Sequence, residues 1–235
     1  MAVLKPRAIV ALDVPDAARA RALTARLGVG CDFVKVGLEL FTAEGPAIVR
    51  AMRGEGRDVF LDLKLHDIPN TVRAAARSAA HTGAALVTVH ASGGSAMLEA
   101  AVEGAGTHCG VLAVTVLTSL DAGSLGAAWG RSGLEIGEEV LRLAGLTRAA
   151  GAHGVVCSGL EATAVTEEFG EGLAVLVPGI RRSGAATHDQ ARTVTPGAAV
   201  VAGARYLVLG RAVTGATDPG AELRSIREEM ADAVG

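Results

Sequence analysis

Charged and apolar side chains alternate along the segment from Val59 to Asp67, which reads V-F-L-D-L-K-L-H-D. Successive side chains of an extended strand point to opposite faces, so Asp62 and Lys64 share one face and the leucines beside them take the other. A charged side chain without a partner is costly inside a folded protein, so charges on a buried face need either ion-pair partners or a functional role. A fixed carboxylate and ammonium can stabilise developing charge or transfer a proton; a structural ion pair is the alternative interpretation.

Three other apolar segments also end in a titratable side chain, namely Asp13, Lys35 and His90. By the same alternation, each of these side chains lies on the strand face equivalent to that of Asp62 and Lys64. Asp67 follows a few residues after the alternating segment, so the charges brought together have alternating signs. The ammonium groups already compensate the carboxylates, and no His, Asp or Glu residues show ligand-like spacing, so we expect no metal ion. The pattern indicates a cofactor-free site of fixed charges. We interpret His90 as a hydrogen-bonded structural residue.

Two later segments end in sequences suited to binding a phosphate group: Pro178-Gly179-Ile180-Arg181 and Gly210-Arg211. Backbone N–H groups, a short helix terminus and an arginine are common means of holding phosphate in barrels. Residues 181–190 are small and polar, which is typical of a closing lid or of an idle surface loop. No G-x-x-x-x-G-K-[ST] or G-x-G-x-x-G motif occurs where it would bind a nucleotide, so ATP and dinucleotide cofactors are unsupported.

Parallel strands joined by helices are the elements that must position these side chains. Short apolar runs predict strands at residues 8–12, 33–36, 59–63, 86–90, 110–115, 154–156, 174–177 and 206–209. Helical patterns between them cover residues 16–27, 44–53, 70–82, 95–102, 134–150, 161–169, 196–202 and 219–233. This alternation predicts an α/β fold, a (β/α)8 TIM barrel, with an open doubly wound sheet as the alternative. No linker divides the chain, so residues 1–235 are expected to form a single domain.

The composition excludes several other classes of protein. The 235 residues include 22 Lys and Arg against 25 Asp and Glu, and this net charge of -3 argues against a nucleic-acid partner. Apolar runs are interrupted before the ~18 residues that a membrane span requires. The first residues lack an apolar h-region followed by a cleavage site, so no signal peptide is expected. Cys31, Cys109 and Cys157 are isolated, as buried thiols in a reducing compartment are. We therefore expect a cytoplasmic protein with no membrane or nucleic-acid partner.

The charged and phosphate-binding segments together resemble the orotidine 5′-phosphate decarboxylase family. The matching motifs follow the family's order over nearly the whole chain: A-L-D at 11–13, K-V-G at 35–37, D-x-K-x-x-D-I-P-N-T at 62–71, V-H-A-S-G-G at 89–94, V-L-T-S at 116–119, P-G-I-R at 178–181, D-Q at 189–190 and G-R at 210–211. Such an ordered set is highly specific. The resemblance implies a lyase that converts orotidine 5′-phosphate to UMP and CO₂, the last step of de novo pyrimidine nucleotide biosynthesis. It also implies a cofactor-independent homodimeric barrel.

The resemblance also implies roles for individual residues. Lys64 would donate a proton to C6 of the pyrimidine, within an alternating array of Lys35, Asp62, Lys64 and Asp67. Asp67 and Thr71 would reach into the active site of the neighbouring subunit. The other substrate contacts would be Asp13 and Lys35 to the ribose hydroxyls, Thr118 and Ser119 to the pyrimidine edge, and Arg181, Gln190, Gly210 and Arg211 to the phosphate, with Pro178 in the same loop.

Two other functions stay open at the level of the sequence. Sugar-phosphate lyases of the same barrel group, such as 3-keto-gulonate 6-phosphate decarboxylase and hexulose phosphate synthase, also resemble an Asp-x-Lys-x-x-Asp pattern. They use Mg²⁺ and have an acidic metal ligand on the second strand, where this chain has Lys35. A non-catalytic barrel that senses nucleotides would keep the phosphate site but would be expected to lose part of the charge pattern, which is intact here.

Overall fold

The computed structural model describes residues 5–181 and 194–234, and these form a closed barrel of parallel strands. The strands are β1 (Arg7–Ala11), β2 (Phe33–Val36), β3 (Asp58–Leu65), β4 (Leu86–His90), β5 (Gly110–Val114), β6 (Gly154–Val156), β7 (Ala174–Val177) and β8 (Tyr206–Leu209). Each strand pairs with the next, and β8 closes the barrel by pairing with β1, with Arg7 opposite Tyr206. The predicted (β/α)8 barrel is confirmed, and the open-sheet alternative is wrong.

Strand side chains alternate between the inside of the barrel and the layer beneath the helices. The inward-facing residues form a small apolar core that includes Ile9, Phe33, Phe60, Leu112 and Tyr206. The residues between them belong to a larger core that packs against the surrounding helices. Strands of a parallel barrel are covered on both faces, so their sequences are nearly continuous apolar runs. Polar residues at the end of such a strand are therefore easy to recognise in the sequence.

Helices connect the strands on the outside of the barrel: α1 (Ala17–Leu27), α2 (Leu38–Glu44), α3 (Pro46–Gly54), α4 (Pro69–His81), α5 (Ser95–Ala105), α6 (Ala122–Trp129), α7 (Ile136–Ala149), α8 (Ala162–Phe169), α9 (Pro196–Val201), α10 (Arg211–Thr214) and α11 (Pro219–Asp232). The predicted helices are present, with small shifts at their ends. The sequence patterns do not reveal α2, α6 and α10, which have 7, 8 and 4 residues and so offer few turns in which a period could show. The equally short α8 and α9 are predicted. Among the helices of the described residues, none has both the length and the apolar character needed to cross a bilayer.

Helices α4 and α5 pack so closely that Gly104 has no room for a side chain. A Cβ atom at Gly104 would lie 2.2 Å from the carbonyl oxygen of Arg73. Gly104→Ala is therefore expected to force the helices apart and to lower the free energy of unfolding by about 1–3 kcal/mol. Urea denaturation measures this change.

The matched control for this prediction is Gly145→Ala, inside α7. A Cβ atom at Gly145 would meet only Phe169, at an ordinary contact distance of 3.9 Å. Alanine favours a helix interior over glycine by about 0.5–1 kcal/mol, so this variant should be at least as stable as the parent. Equal stability of the two variants would contradict the close approach of α4 and α5.

Candidate active site

A cavity of about 640 Å³ opens at the carboxyl ends of the strands, the end at which barrel enzymes place their chemistry. Its apolar floor includes Ala11, Phe60, Val156, Leu176 and Val208. The polar residues that line it, together with residues of the loops predicted to bind phosphate, are Asp13, Lys35, Asp62, Lys64, Thr118, Ser119, Pro178, Gly179, Arg181, Gly210, Arg211 and Thr214. Apart from Asp67 and Thr71, every site residue predicted from the sequence that lies within the described ranges lines this cavity.

Four charged side chains form a continuous array along one side of the cavity. Lys35 Nζ lies 2.8 Å from Asp13 Oδ1 and 3.7 Å from Asp62 Oδ2. On the other side of the Asp62 carboxylate, Lys64 Nζ lies 2.8 Å from Oδ1. The Asp62 side chain is 13% exposed and that of Lys64 is 31% exposed. The Lys64 ammonium is therefore held in a fixed position and still accessible to a bound molecule.

The charge state of Asp62 results from opposing effects. Burial raises the pKa of the Asp62 carboxyl, because a low-dielectric environment disfavours the ionised form. The ammonium groups of Lys64 and Lys35, with hydrogen bonds from Lys64 and Thr88, outweigh burial, so the pKa lies below its usual value. Asp62 is thus ionised at neutral pH. The stability gained from this interaction is fully present above the carboxyl's ordinary pKa and is lost as the pH falls below it and through the lowered pKa.

Gly37 also shapes the array, although no role was predicted for it from the sequence. A Cβ atom at this position would lie 2.8 Å from Lys35 Nζ and 3.5 Å from Asp13 Oδ1. A side chain would therefore displace the Lys35 amine. This glycine is part of the K-V-G motif of the sequence. Its close approach to the Lys35 amine and the Asp13 carboxylate, however, depends on how β1 and β2 pack in the fold.

Strand β3 is irregular where it carries the two central charges. Leu61 lies opposite Val87 of β4, whereas Leu65 lies opposite Val89, so four residue steps of β3 match two steps of β4. Lys64 has a φ of 51°, and every other described residue with a positive φ is a glycine. This left-handed conformation costs a lysine about 1–2 kcal/mol. Such bulges redirect side chains and are common beside active sites.

Thr88 belongs to this site, although it was not among the residues predicted from the sequence. It is fully buried within β4. The Lys64 N–H donates a hydrogen bond to Thr88 Oγ1 at 2.9 Å, and the Thr88 hydroxyl donates to Asp62 Oδ1 at 2.9 Å. Alternation along β4 places Thr88 on the same face as His90, so the signal was present in the sequence.

His90 and His66 lie side by side at the rim, with ring centroids 5.4 Å apart. Burial lowers the pKa of His90, and the neighbouring His66 and Lys64 lower it further. His90 is therefore a neutral ring at pH 7. Within the described part of the chain, neither ring lines the cavity, so these positions favour the structural interpretation.

The connections after β7 and β8 form another part of the cavity wall. Pro178 and Arg181 follow β7, while Gly210 and Arg211 follow β8 at the start of the short helix α10. These residues are suited to an anion through arginine side chains and backbone N–H groups. The fold thus brings the two predicted phosphate segments to the same cavity as the charged array.

The predicted lid at 181–190 falls almost wholly outside the described residues, and Gln190 lies there with it. Arg181 is buried, and its backbone N–H donates to the Val194 carbonyl oxygen at 3.0 Å. This bond joins the two described ends of the connection beside the cavity.

Thr118 and Ser119 lie on a turn that follows β5. The turn is closed by a hydrogen bond of 2.9 Å from the Leu120 N–H to the Leu117 carbonyl oxygen. Thr118 is half-buried and Ser119 is exposed, and both line the cavity. Either hydroxyl can therefore meet a molecule bound above the apolar floor.

Comparison with known proteins identifies the family. Residues 6–226 match the family described as "Orotidine 5′-phosphate decarboxylase / HUMPS family". The chain belongs to the orotidine 5′-phosphate decarboxylase family. An orotidine 5′-phosphate decarboxylase of Anaeromyxobacter sp. (strain K) is 55% identical over 227 residues, which cover 95% of this chain and 98% of that protein. One from Halorhodospira halophila is 51% identical over 237 residues, or 97% of each chain.

Solved structures agree with this assignment to the orotidine 5′-phosphate decarboxylase family. The crystal structure of orotidine 5′-phosphate decarboxylase from Lactobacillus acidophilus superposes with a TM-score of 0.85 at 36% identity, covering 96% of this chain and 99% of that one. The corresponding protein from Pyrococcus horikoshii gives a TM-score of 0.77 at 28% identity, covering 96% and 99%. The family and enzyme class predicted from the sequence are confirmed.

In this member of the orotidine 5′-phosphate decarboxylase family, Asp67 and Thr71 stand apart from the array. Both are exposed, after β3 and in the first turn of α4, and neither lines the cavity of its own chain among the described residues. Asp67 Oδ1 accepts a hydrogen bond of 2.6 Å from the Ile68 N–H, while Lys64 pairs with Asp62. The fold therefore does not bring Asp67 to Lys64 within one chain.

The position of Lys35 separates this site from a magnesium site. Its ammonium lies between Asp13 and Asp62, the two carboxylates of the array. A divalent cation bound there would have to displace that ammonium or accept its repulsion. Throughout residues 5–181 and 194–234, no group of three or more His, Cys, Asp or Glu side chains is arranged to hold a metal ion.

Proposed function

We propose that this chain decarboxylates orotidine 5′-phosphate to UMP and CO₂ with fixed charges in place of a cofactor. The observation that carries the proposal is the Lys64 ammonium, which Asp62 holds at 2.8 Å inside a cavity that also presents the phosphate segments. Membership of the family supports this substrate. The reaction would be the last step of de novo pyrimidine nucleotide biosynthesis. We place it in the cytoplasm, where the buried thiols Cys31, Cys109 and Cys157 would stay reduced.

The chemistry needs a positive charge beside C6 of the pyrimidine. The bond from C6 to the carboxylate carbon breaks, CO₂ leaves, and the electron pair stays on C6. Lys64 stabilises this carbanion and then donates a proton from Nζ to C6, which gives UMP; the neutral amine recovers a proton from water. Because Asp62 fixes the ammonium beforehand, its field acts with little reorganisation during the reaction.

We propose that the remaining cavity residues bind the rest of the nucleotide. Each part of the nucleotide has its own group of residues, with Asp13 and Lys35 for the ribose hydroxyls, Thr118 and Ser119 for the pyrimidine edge, and Pro178, Arg181, Gln190, Gly210 and Arg211 for the phosphate. The phosphate is remote from the bond that breaks, so its binding energy can be used to close and dehydrate the site. The apolar floor strengthens the electrostatic effect of the array.

We also propose a homodimer in which Asp67 and Thr71 complete the site of the partner. Both side chains are exposed in the single chain. Ile68, which follows Asp67, is 68% exposed, and Leu38, the first residue of α2 after the neighbouring strand β2, is 54% exposed. Large apolar side chains left exposed beside polar functional residues favour a protein interface at this rim.

The decisive experiment follows the orotate ultraviolet absorbance after purified protein is mixed with orotidine 5′-phosphate. We expect the absorbance to fall and UMP to accumulate in equal amount. A protein that binds UMP with micromolar affinity yet leaves the absorbance unchanged would instead be the nucleotide sensor.

The same assay distinguishes the magnesium-dependent alternative. After exhaustive treatment with EDTA, we expect kcat/KM to stay within about twofold of the untreated value, because the charges of Lys35 and Lys64 are covalently part of the chain. A loss that added Mg²⁺ restores would show that the site works as a metal-dependent lyase.

A further inference from the structure

The irregular backbone of the bulge in β3 needs a hydrogen-bond partner. Among the described contacts, Thr88 is the only side chain that hydrogen-bonds both to the backbone of the bulge and to one of its charged side chains. The bulge begins where β3 and β4 lose their regular register, between Leu61 and Leu65. Within it, the Lys64 backbone has left the extended conformation, so its N–H no longer follows the regular ladder. That N–H is instead satisfied by Thr88 Oγ1 at 2.9 Å.

The direction of each hydrogen bond at Thr88 is determined by its partners. An ionised Asp62 carboxylate can only accept, so the Thr88 hydroxyl must donate its one proton to Asp62 Oδ1. The lone pairs of the Thr88 oxygen remain free to accept hydrogen bonds, and one of them accepts the hydrogen bond that the Lys64 N–H donates. Asp62 Oδ1 also accepts from Lys64 Nζ at 2.8 Å. The three residues therefore form a closed ring of hydrogen bonds that links both ends of Lys64.

We propose that Thr88 is a positioning residue that holds the Lys64 backbone in its left-handed conformation and orients Asp62, so that the ammonium is aimed at the reacting carbon. This inference rests on the proposed function. Thr88 does not line the cavity in the described residues, so it acts through Lys64 and Asp62. Preorganisation of this kind matters because small misplacements of a catalytic group reduce rates strongly.

The test compares Thr88→Val, which keeps the shape of the side chain but removes its hydroxyl, with Thr88→Ser, which keeps the hydroxyl. We expect Thr88→Val to lower kcat about 10- to 100-fold while KM changes less than about threefold, since the substrate contacts remain. Thr88→Ser should keep kcat within about fivefold of the parent. A Thr88→Val protein as active as Thr88→Ser would overturn the proposal, as would a loss confined to thermal stability.

The pH profile supplies a readout that a purely structural role would not change. The Thr88 hydrogen bond is one of the causes that lower the pKa of Asp62, so its removal should raise that pKa. The acidic limb of kcat/KM should then move to higher pH in Thr88→Val but not in Thr88→Ser. An unmoved limb together with an unchanged kcat would contradict the role assigned to Thr88.

Should Thr88→Val fail to fold, amide hydrogen exchange of the parent protein gives the answer. A Lys64 amide held by Thr88 should exchange at least about 100-fold more slowly than an unprotected amide. Fast exchange at Lys64 would overturn the proposal. If the parent protein does not decarboxylate orotidine 5′-phosphate, the proposed function fails, but protection of the Lys64 amide still reports on Thr88 separately.

Discussion

Lys64→Ala is expected to lower kcat/KM for orotidine 5′-phosphate by about 10⁴-fold or more. In the proposed mechanism, the change removes the proton donor and the charge that faces C6, and each of these effects is worth about 10²-fold or more in enzymes. Asp62 and Lys35 keep their ion pair in the variant, so the cavity should persist. The loss should therefore fall on kcat, while UMP binding stays within about tenfold of the parent. Absorbance kinetics and calorimetric titration with UMP measure the two quantities.

The sequence offers a simple control for this variant. The chain has three lysines, and two of them, Lys35 and Lys64, lie in the cavity. The third, Lys5, is exposed outside the strands. Lys5→Ala should behave as the parent protein does. A Lys64→Ala protein that retained a tenth of the parental kcat/KM would show that another group protonates C6.

A mixture of two inactive variants, Lys64→Ala and Asp67→Asn, is expected to recover activity. If Asp67 serves the partner's site, a heterodimer contains one site in which both residues are intact and one in which both are changed. Random exchange makes half of the dimers mixed, so about a quarter of the parental activity should return. The activity is measured after the two proteins are unfolded together and refolded, or are coexpressed.

Each variant refolded alone is the control for this mixture, and both should stay inactive. An absence of recovery, with mixed dimers demonstrated by differential tags, would show that Asp67 acts within its own chain. The exposed position of Asp67 and its hydrogen bond to the Ile68 N–H in the single chain favour recovery.

The local sequence was sufficient to predict where the strands lie and which face their charged side chains take. The alternation in the segment that became β3 correctly put Asp62 and Lys64 inside the barrel with Phe60. This succeeded for Asp62 because the side-chain period of a regular strand is fixed by backbone geometry and needs no knowledge of neighbours. Lys64 reaches the same cavity from the bulge, which strand alternation does not describe. Three short helices, α2, α6 and α10, are not predicted, because a few residues show little helical period. For α6, the hydrogen bond from the Ser124 N–H to the Asp121 side chain marks the start more clearly than any apolar period does.

What the sequence by itself determined is therefore the order of the elements, the barrel as the favoured of two architectures, and most of the residues at its mouth. The tertiary structure alone decided the left-handed backbone of Lys64, the bridge from Thr88, and the separation of Asp67 from the array. These features depend on the register between β3 and β4 and on distances between side chains far apart in sequence. A pattern of residue types encodes which face a side chain takes, whereas the fit between neighbouring strands sets where its atoms finally lie.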